Sequence, residues 1–176
     1  MKYCSVCAGH IELKIPEGDN RPRHVCEQCG TIHYQNPRIV AGTLPTYQGK
    51  ILLCKRAIEP RMGYWTLPAG FMENGESTEQ AALRETWEEA LAKVEIQQLF
   101  SMISVVHIDQ VHIFYTAVLP TAEFSSGPES LEVALFAPED IPWDELAFST
   151  VEKSLRLFLE NPAPARVHTL EVNRNR

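Results

Sequence analysis

From Pro37 onward the chain is a succession of apolar runs separated by turn residues. RIVAGTLPTY and GKILLCKRA read as two strands joined by the tight connection YQG. GYWTLPAGFM is a third extended stretch, broken by Pro68 and Gly70. A helix follows: Ser77 and Gln80 form an S-x-x-Q capping box, so it begins near Thr78. At about 100° per residue, Leu83, Trp87, Ala90, Leu91 and Val94 fall on one side of it, which predicts the buried face. LFSMISVVHIDQVHIFYTAVLP gives two β-rich runs around Asp109-Gln110, and SLEVALFAP gives a further strand. PEDIPWDEL reads as a loop or short helical turn, and a second helix spans about 150–160, with Ser149 and Glu152 as a capping box. Strands outnumber helices and flank the central helix, which predicts an α/β fold on a mixed sheet, not a doubly wound parallel one.

Residues 1–36 are different. They are rich in Cys, Pro and Gly and too poor in apolar residues for a core of their own, so a metal or disulfides must hold them. This divides the chain into a small module over 1–36, a main domain over 37–165 and a tail over 166–176 that is mobile or packs at an edge.

Composition narrows the partners. Sixteen Lys and Arg against 23 Asp and Glu leave a net charge of -7, which opposes a broad nucleic-acid footprint. No apolar run approaches the ~20 residues of a membrane span. The N-terminal MKYCSVCAGH lacks a signal-peptide core, so cytoplasmic residence without membrane association is expected. An anionic small molecule stays open as a substrate, because a bound divalent cation inverts the local field.

Such a cation has an evident place. Glu85, Glu88 and Glu89 fall within about 100° on the central helix, at i, i+3 and i, i+4 spacings. Alone they would be a solvated face. Gly70 and Gly75, however, bracket a loop that ends at Glu76, and a loop–helix unit with oxygen donors on one face suits Mg²⁺ or Mn²⁺ together with phosphates.

Gly70, Glu76, Arg84, Glu85, Glu88 and Glu89 stand at the spacing G-x5-E-x7-R-E-U-x-E-E-x-G-U, which resembles the Nudix box. Thr86 replaces the usual aliphatic residue and Leu91 the usual glycine, so the exit of the helix is the point in doubt. The resemblance implies an α/β/α sandwich around a mixed sheet, a homodimer, and hydrolysis of a nucleoside diphosphate linked to another moiety. It implies Mg²⁺ (or Mn²⁺) on Glu85, Glu88 and Glu89, with Arg84 holding the glutamates and Glu76 supporting the loop. It also implies a general base outside the box. Glu132 stands where relatives carry such a glutamate, and Glu129 competes with it.

Cys4-x2-Cys7, eighteen residues, then Cys26-x2-Cys29 matches a four-cysteine Zn²⁺ site, with disulfides as the rival. His10, His24 and His33 are expected at its surface or in support. Arg21, Arg23 and Arg38 are too few, amid acidic residues, to mark a nucleic-acid module. Cys54, in KILLCKR, reads as a core thiol.

A ribbon followed by this box resembles the NADH pyrophosphatases, but their SQPWPFPxS element is absent, as is the proline of many ADP-ribose hydrolases. LLCKR, YWTLPAGFMENGES, GPESLE, LFAPEDIP and LAFST resemble a zinc-ribbon Nudix group that includes plant plastid enzymes cleaving FAD and ADP-ribose. FAD or ADP-ribose is therefore the expected substrate. NADH or NAD cleavage, RNA cap removal and a silent nucleotide sensor are the alternatives. Tyr64, Trp65 and Phe71 are candidates to stack on a base, and Arg56 and Arg61 to meet a phosphate.

Overall fold

In the computed structural model, residues 1–173 are described; Arg174, Asn175 and Arg176, at the end of the expected tail, lie outside the described residues. The chain divides into two units between Asn36 and Pro37. In the first, β1 (Ile11–Lys14), β2 (Arg23–Cys26) and β3 (Ile32–His33) form a small antiparallel sheet in that order. Its buried apolar residues are few, namely Cys4, Val25 and Cys26.

The second unit is built on eight strands: β4 (Arg38–Tyr47), β5 (Lys50–Arg56), β6 (Trp65–Thr66), β7 (Ala69–Phe71), β8 (Glu95–Val105), β9 (Gln110–Val118), β10 (Ser130–Phe136) and β11 (His168–Val172). The main order is β10-β5-β4-β9-β8-β11, with β6 on β5 and β7 on β4. The sheet is mixed: β4 runs parallel to β9 and β11 parallel to β8, while β8 and β9 are antiparallel. The β4–β5 hairpin turns through Gln48 and Gly49, both at positive φ, as a two-residue hairpin loop requires. β11 lies in the segment expected as a tail, and it occupies the sheet edge beside β8.

The two helices, α1 (Thr78–Ala90) and α2 (Ser149–Glu160), cover opposite faces. Strand alternation shows why. Leu44, Leu53 and Phe114 pack with Val151 and Leu155 of α2, whereas Ala41 and Tyr115 pack with Ala81 and Ala82 of α1, and Leu52 with Ala90. This is the expected α/β/α sandwich.

Two local expectations change. The capping box at α1 is present, with Ser77 Oγ accepting from Gln80 N–H and Gln80 Oε1 from Ser77 N–H. At α2 it is not: the N-cap is Phe148, without a side-chain bond, and Ser149 is already helical. Of the side of α1 expected to be buried, Ala90 does point inward, but the large residues do not. Leu83 and Trp87 are 38% and 46% exposed, and the buried residues are Ala81, Ala82, Thr86, Glu89 and Ala90. Small side chains bring α1 close to β4 and turn the carboxylate side toward the sheet. None of the helices is long and apolar enough to cross a membrane, among the described residues.

Candidate active site

Arg84 organises the carboxylates. Its Nε and Nη2 donate to both oxygens of Glu76, at 3.1 and 2.7 Å, and its Nη1 donates to Glu85 at 2.7 Å and Glu88 at 3.0 Å. Nη2 also donates to the Phe71 carbonyl, at 3.1 Å, so one guanidinium ties helix to loop. Glu76 additionally accepts from Glu73 N–H, at 2.6 Å. These bonds, the Arg84 contact first, hold the Glu76 carboxyl below its ordinary range and the Arg84 guanidinium above its own.

Glu85 and Glu89 lie deeper. A Cβ at Gly70 would overlap the Glu85 carboxylate, so only glycine there admits that side chain beside the loop backbone. Glu89 is 6% exposed and accepts from Ala69 N–H at 3.1 Å. Burial pushes both carboxyls up, Glu89 to about 8; the Glu85 charge adds to the rise at Glu89, and the Glu88 charge to that at Glu85. A buried carboxylate kept ionised without a paired cation is a costly arrangement, and Glu89, unlike Glu85 with Arg84, has no such partner among the described residues. The donors are hard oxygens, which fit Mg²⁺ or Mn²⁺. Such an ion would share Glu85 and Glu88 with Arg84. Among the described residues, only the four cysteines of the ribbon already have ligand atoms converged on one point.

The two departures in the box have structural answers. Thr86 is fully buried, and its hydroxyl is satisfied by the Ala82 carbonyl at 2.7 Å and the Thr43 hydroxyl at 2.6 Å. Leu91 adopts the left-handed conformation that the usual glycine would, at φ 46°, and its N–H donates to the Trp87 carbonyl. The helix therefore ends in the ordinary turn, with a leucine bearing a strain of roughly 1 kcal/mol.

Past that turn, a second loop is fastened to the helix end. Ser125 N–H donates to the Ala90 carbonyl at 2.9 Å, and Gly127 N–H to the Glu89 carbonyl at 3.0 Å. A Cβ at Gly127 would collide with the Glu88 carbonyl oxygen. The Glu129 carbonyl accepts from Ala57 N–H at 2.8 Å, so the loop is held on both sides and Glu129 is presented to the site.

Above these groups opens a cavity of about 1030 Å³, lined by Glu85, Glu88, Glu89, Gly70, Arg56 and Glu129, and by Arg38, Phe71, Gln110, His112 and Phe148. Arg38 stacks over Phe71 at 4.6 Å, and Arg56 over Phe148 at 5.1 Å. Burial lowers the His112 pKa to about 4, leaving the imidazole neutral near pH 7.

Several expected residues lie elsewhere. Glu132 is exposed on β10 opposite Lys55 and does not line the cavity; the bulge at Ser130/Glu132 sets it away from Glu129. Trp65 is 5% exposed and packs edge-on against Phe136 in the core, since β6 pairs with β5. Arg61 stacks on Tyr64 at 5.2 Å, outside the lining. Of the two arginines only Arg56 reaches the cavity, and of the three aromatic residues only Phe71. Arg38 belongs to β4 and to this cavity, not to the ribbon. Gln110, His112 and Phe148 carried no local signal; parallel pairing of β4 with β9 brings Gln110 opposite Arg38 and His112 opposite Val40.

In the ribbon the four cysteines are unbridged, with all four sulfurs within 4.8 Å of one another. Cys4 Sγ lies 3.7 Å from Cys29 Sγ and Cys7 Sγ 3.5 Å from Cys26 Sγ. Thiolates at the usual zinc–sulfur distance in a tetrahedron stand about 3.8 Å apart, so the set fits that ion. Val6 N–H donates to Cys4 Sγ and Cys29 N–H to Cys26 Sγ, while His33 Nε2 lies 3.2 Å from Cys4 Sγ, in the supporting position.

Comparison with known proteins is consistent with this geometry. The zinc-ribbon family model described as Nudix N-terminal matches residues 2–35, and that of the NUDIX domain matches residues 36–158. The crystal structure of a NUDIX hydrolase from Nitrosomonas europaea is 48% identical and superposes with a TM-score of 0.94 over 99% of this chain and 100% of that one. The NAD-capped RNA hydrolase NudC of Photobacterium profundum is 28% identical over 89% of this chain; the chain spans 59% of that relative's length. An ADP-ribose pyrophosphatase of Methanocaldococcus jannaschii is 29% identical over 65% of this chain and 69% of its own.

Proposed function

Since the chain belongs to the NUDIX family and carries that family's N-terminal zinc ribbon, we propose that it hydrolyses the pyrophosphate of an ADP-linked small molecule, ADP-ribose or FAD, into two monophosphates. The observation that carries this reading is the buried Glu89 with the half-buried Glu85 against the Gly70 loop, at the floor of a cavity with both arginine and aromatic walls. Mg²⁺ or Mn²⁺ on Glu85, Glu88 and Glu89 would act as Lewis acid and neutralise pyrophosphate charge. The protein's own residues do the rest. Arg84 fixes Glu85 and Glu88, Arg56 offers its guanidinium to a phosphate, and the Arg38–Phe71 stack offers a flat surface to a base. Glu129, in place of Glu132, takes the proton of the attacking water. Zn²⁺ on Cys4, Cys7, Cys26 and Cys29 holds the ribbon.

Product analysis tests the reading. Purified protein with Mg²⁺ is incubated with FAD, ADP-ribose, NADH and NAD-capped RNA, and products are resolved by chromatography. AMP with FMN or with ribose 5-phosphate is expected; no cleavage of any substrate with either metal would sink the proposal. NAD-capped RNA enters because of the relatives of that name, against the net charge of -7.

The Glu129 assignment has its own consequence. Gly127→Ala pushes the loop off the Glu88 carbonyl and moves Glu129 with it. We expect kcat to fall by about 10- to 100-fold with KM little changed, because misplacing a reacting group costs rate before binding. Steady-state kinetics on the cleaved substrate will show it, and an unchanged kcat would remove Glu129 from the mechanism.

A further inference from the structure

One polar chain in the cavity wall has no part in the chemistry above. Thr150, in the first turn of α2, is 3% exposed, and its Oγ1 lies 3.0 Å from His112 Nδ1. His112 Nε2 lies 2.9 Å from Gln110 Oε1. The Gln110 amide oxygen is turned toward the ring, and from that placement the direction of the bonds follows. The amide oxygen of Gln110 only accepts, so Nε2 carries the ring proton. Nδ1 is then the acceptor, and Thr150 must donate to it. A neutral imidazole has one donor and one acceptor, and both are used. The burial of His112, which keeps the ring neutral, agrees with this.

The consequence falls on Gln110. With its oxygen engaged by His112, its NH₂ group is the end left for the cavity, among Arg38, Phe71 and Phe148. Arg38 is its register neighbour across β4 and β9, so the Arg38–Phe71 stack lies alongside the amide. A flat surface beside an oriented donor is the pattern that reads a heterocycle by its face and by one acceptor atom on its edge. We propose that Gln110 is a specificity residue that donates a hydrogen bond from its amide to an acceptor on the substrate's nucleobase, with His112, itself held by Thr150, as the positioning residue that engages the amide oxygen. This rests on the nucleotide reading of the cavity and deepens it. It also divides labour along the cavity: the carboxylates meet the pyrophosphate, and the Thr150–His112–Gln110 chain meets the base.

The test is Gln110→Glu, which keeps size and loses the donor. With ADP-ribose as the probe, KM is expected to rise about tenfold, the worth of one hydrogen bond to a desolvated group, with kcat nearly unchanged. His112→Phe removes the orienting ring at similar volume, and its KM should rise in the same direction but less. The double variant should be no worse than Gln110→Glu alone, because His112 acts only through Gln110. Thermal melts of each variant separate loss of fold from loss of recognition, and Gln110→Leu serves if the glutamate does not fold. Retained KM in Gln110→Glu would overturn the proposal, since it would mean that the amide oxygen, or nothing, faces the base. So would additive effects in the double variant. If the wild-type chain cleaves nothing, the hydrolase reading fails separately. Calorimetric titration with AMP then decides the present proposal: a tenfold weaker Kd in Gln110→Glu supports it, and equal affinity overturns it.

Discussion

Glu89→Gln is expected to lower turnover by about three orders of magnitude, roughly 4 kcal/mol of barrier, while leaving the thermal midpoint unchanged or higher. The two halves of that result have one cause. Glu89 is nearly fully buried, and burial holds its carboxyl up at about 8, with the neighbouring Glu85 charge adding to the rise. Keeping this group ionised works against the fold unless a cation neutralises it. Glutamine has the same shape, can accept from Ala69 N–H through its amide oxygen and carries no charge, so the metal-free fold loses nothing. What it loses is an anionic donor for the divalent ion on which the proposed chemistry depends. Melting curves in chelator and initial rates in Mg²⁺ make the comparison. If activity and stability fell together, Glu89 would be a structural carboxylate, and the site would need another metal ligand. A silent sensor predicts that there is no turnover to lose.

The second large effect is confined to residues 1–36. Removing the zinc proposed on the four cysteines would withdraw a binding free energy on the order of 10 kcal/mol, which is more than a unit with so few buried apolar residues can replace. A strong chelator on the whole protein should therefore release one zinc per chain and abolish amide protection in β1, β2 and β3. Protection in β4, β5 and β9 should persist. The thiols supply an internal control: Cys4, Cys7, Cys26 and Cys29 become reactive, while Cys54, 1% exposed and with its thiol pushed up by burial, does not. Persistent ribbon protection after the ion has left would show that something other than metal holds it.

The sequence by itself determined a good deal. Residue spacing marked the box, the four cysteines and the strand-rich, mixed α/β character, because metal ligands on one helix or one knuckle must sit at fixed separations along the chain. Strand runs were legible for the same kind of reason, since β-rich apolar stretches between turn residues specify them locally. The inner face of α1 was not legible. Its apolar stripe, Leu83 and Trp87, points outward, and alanines with glutamates point inward, because the carboxylates must reach the Gly70 loop. Hydrophobic periodicity misleads wherever a functional charge occupies the buried side. The choice between Glu129 and Glu132 was likewise tertiary: only two residues of sequence lie between them, and only the fastening of the loop to the end of α1 and to Ala57 decides which one faces the cavity. Trp65 looked like a stacking surface until the pairing of β6 with β5 put it in the core. The Thr150–His112–Gln110 chain depended most on the fold. Gln110 and His112 stand on β9 and Thr150 on α2, and only the packing of α2 on that face of the sheet joins them into one polar line.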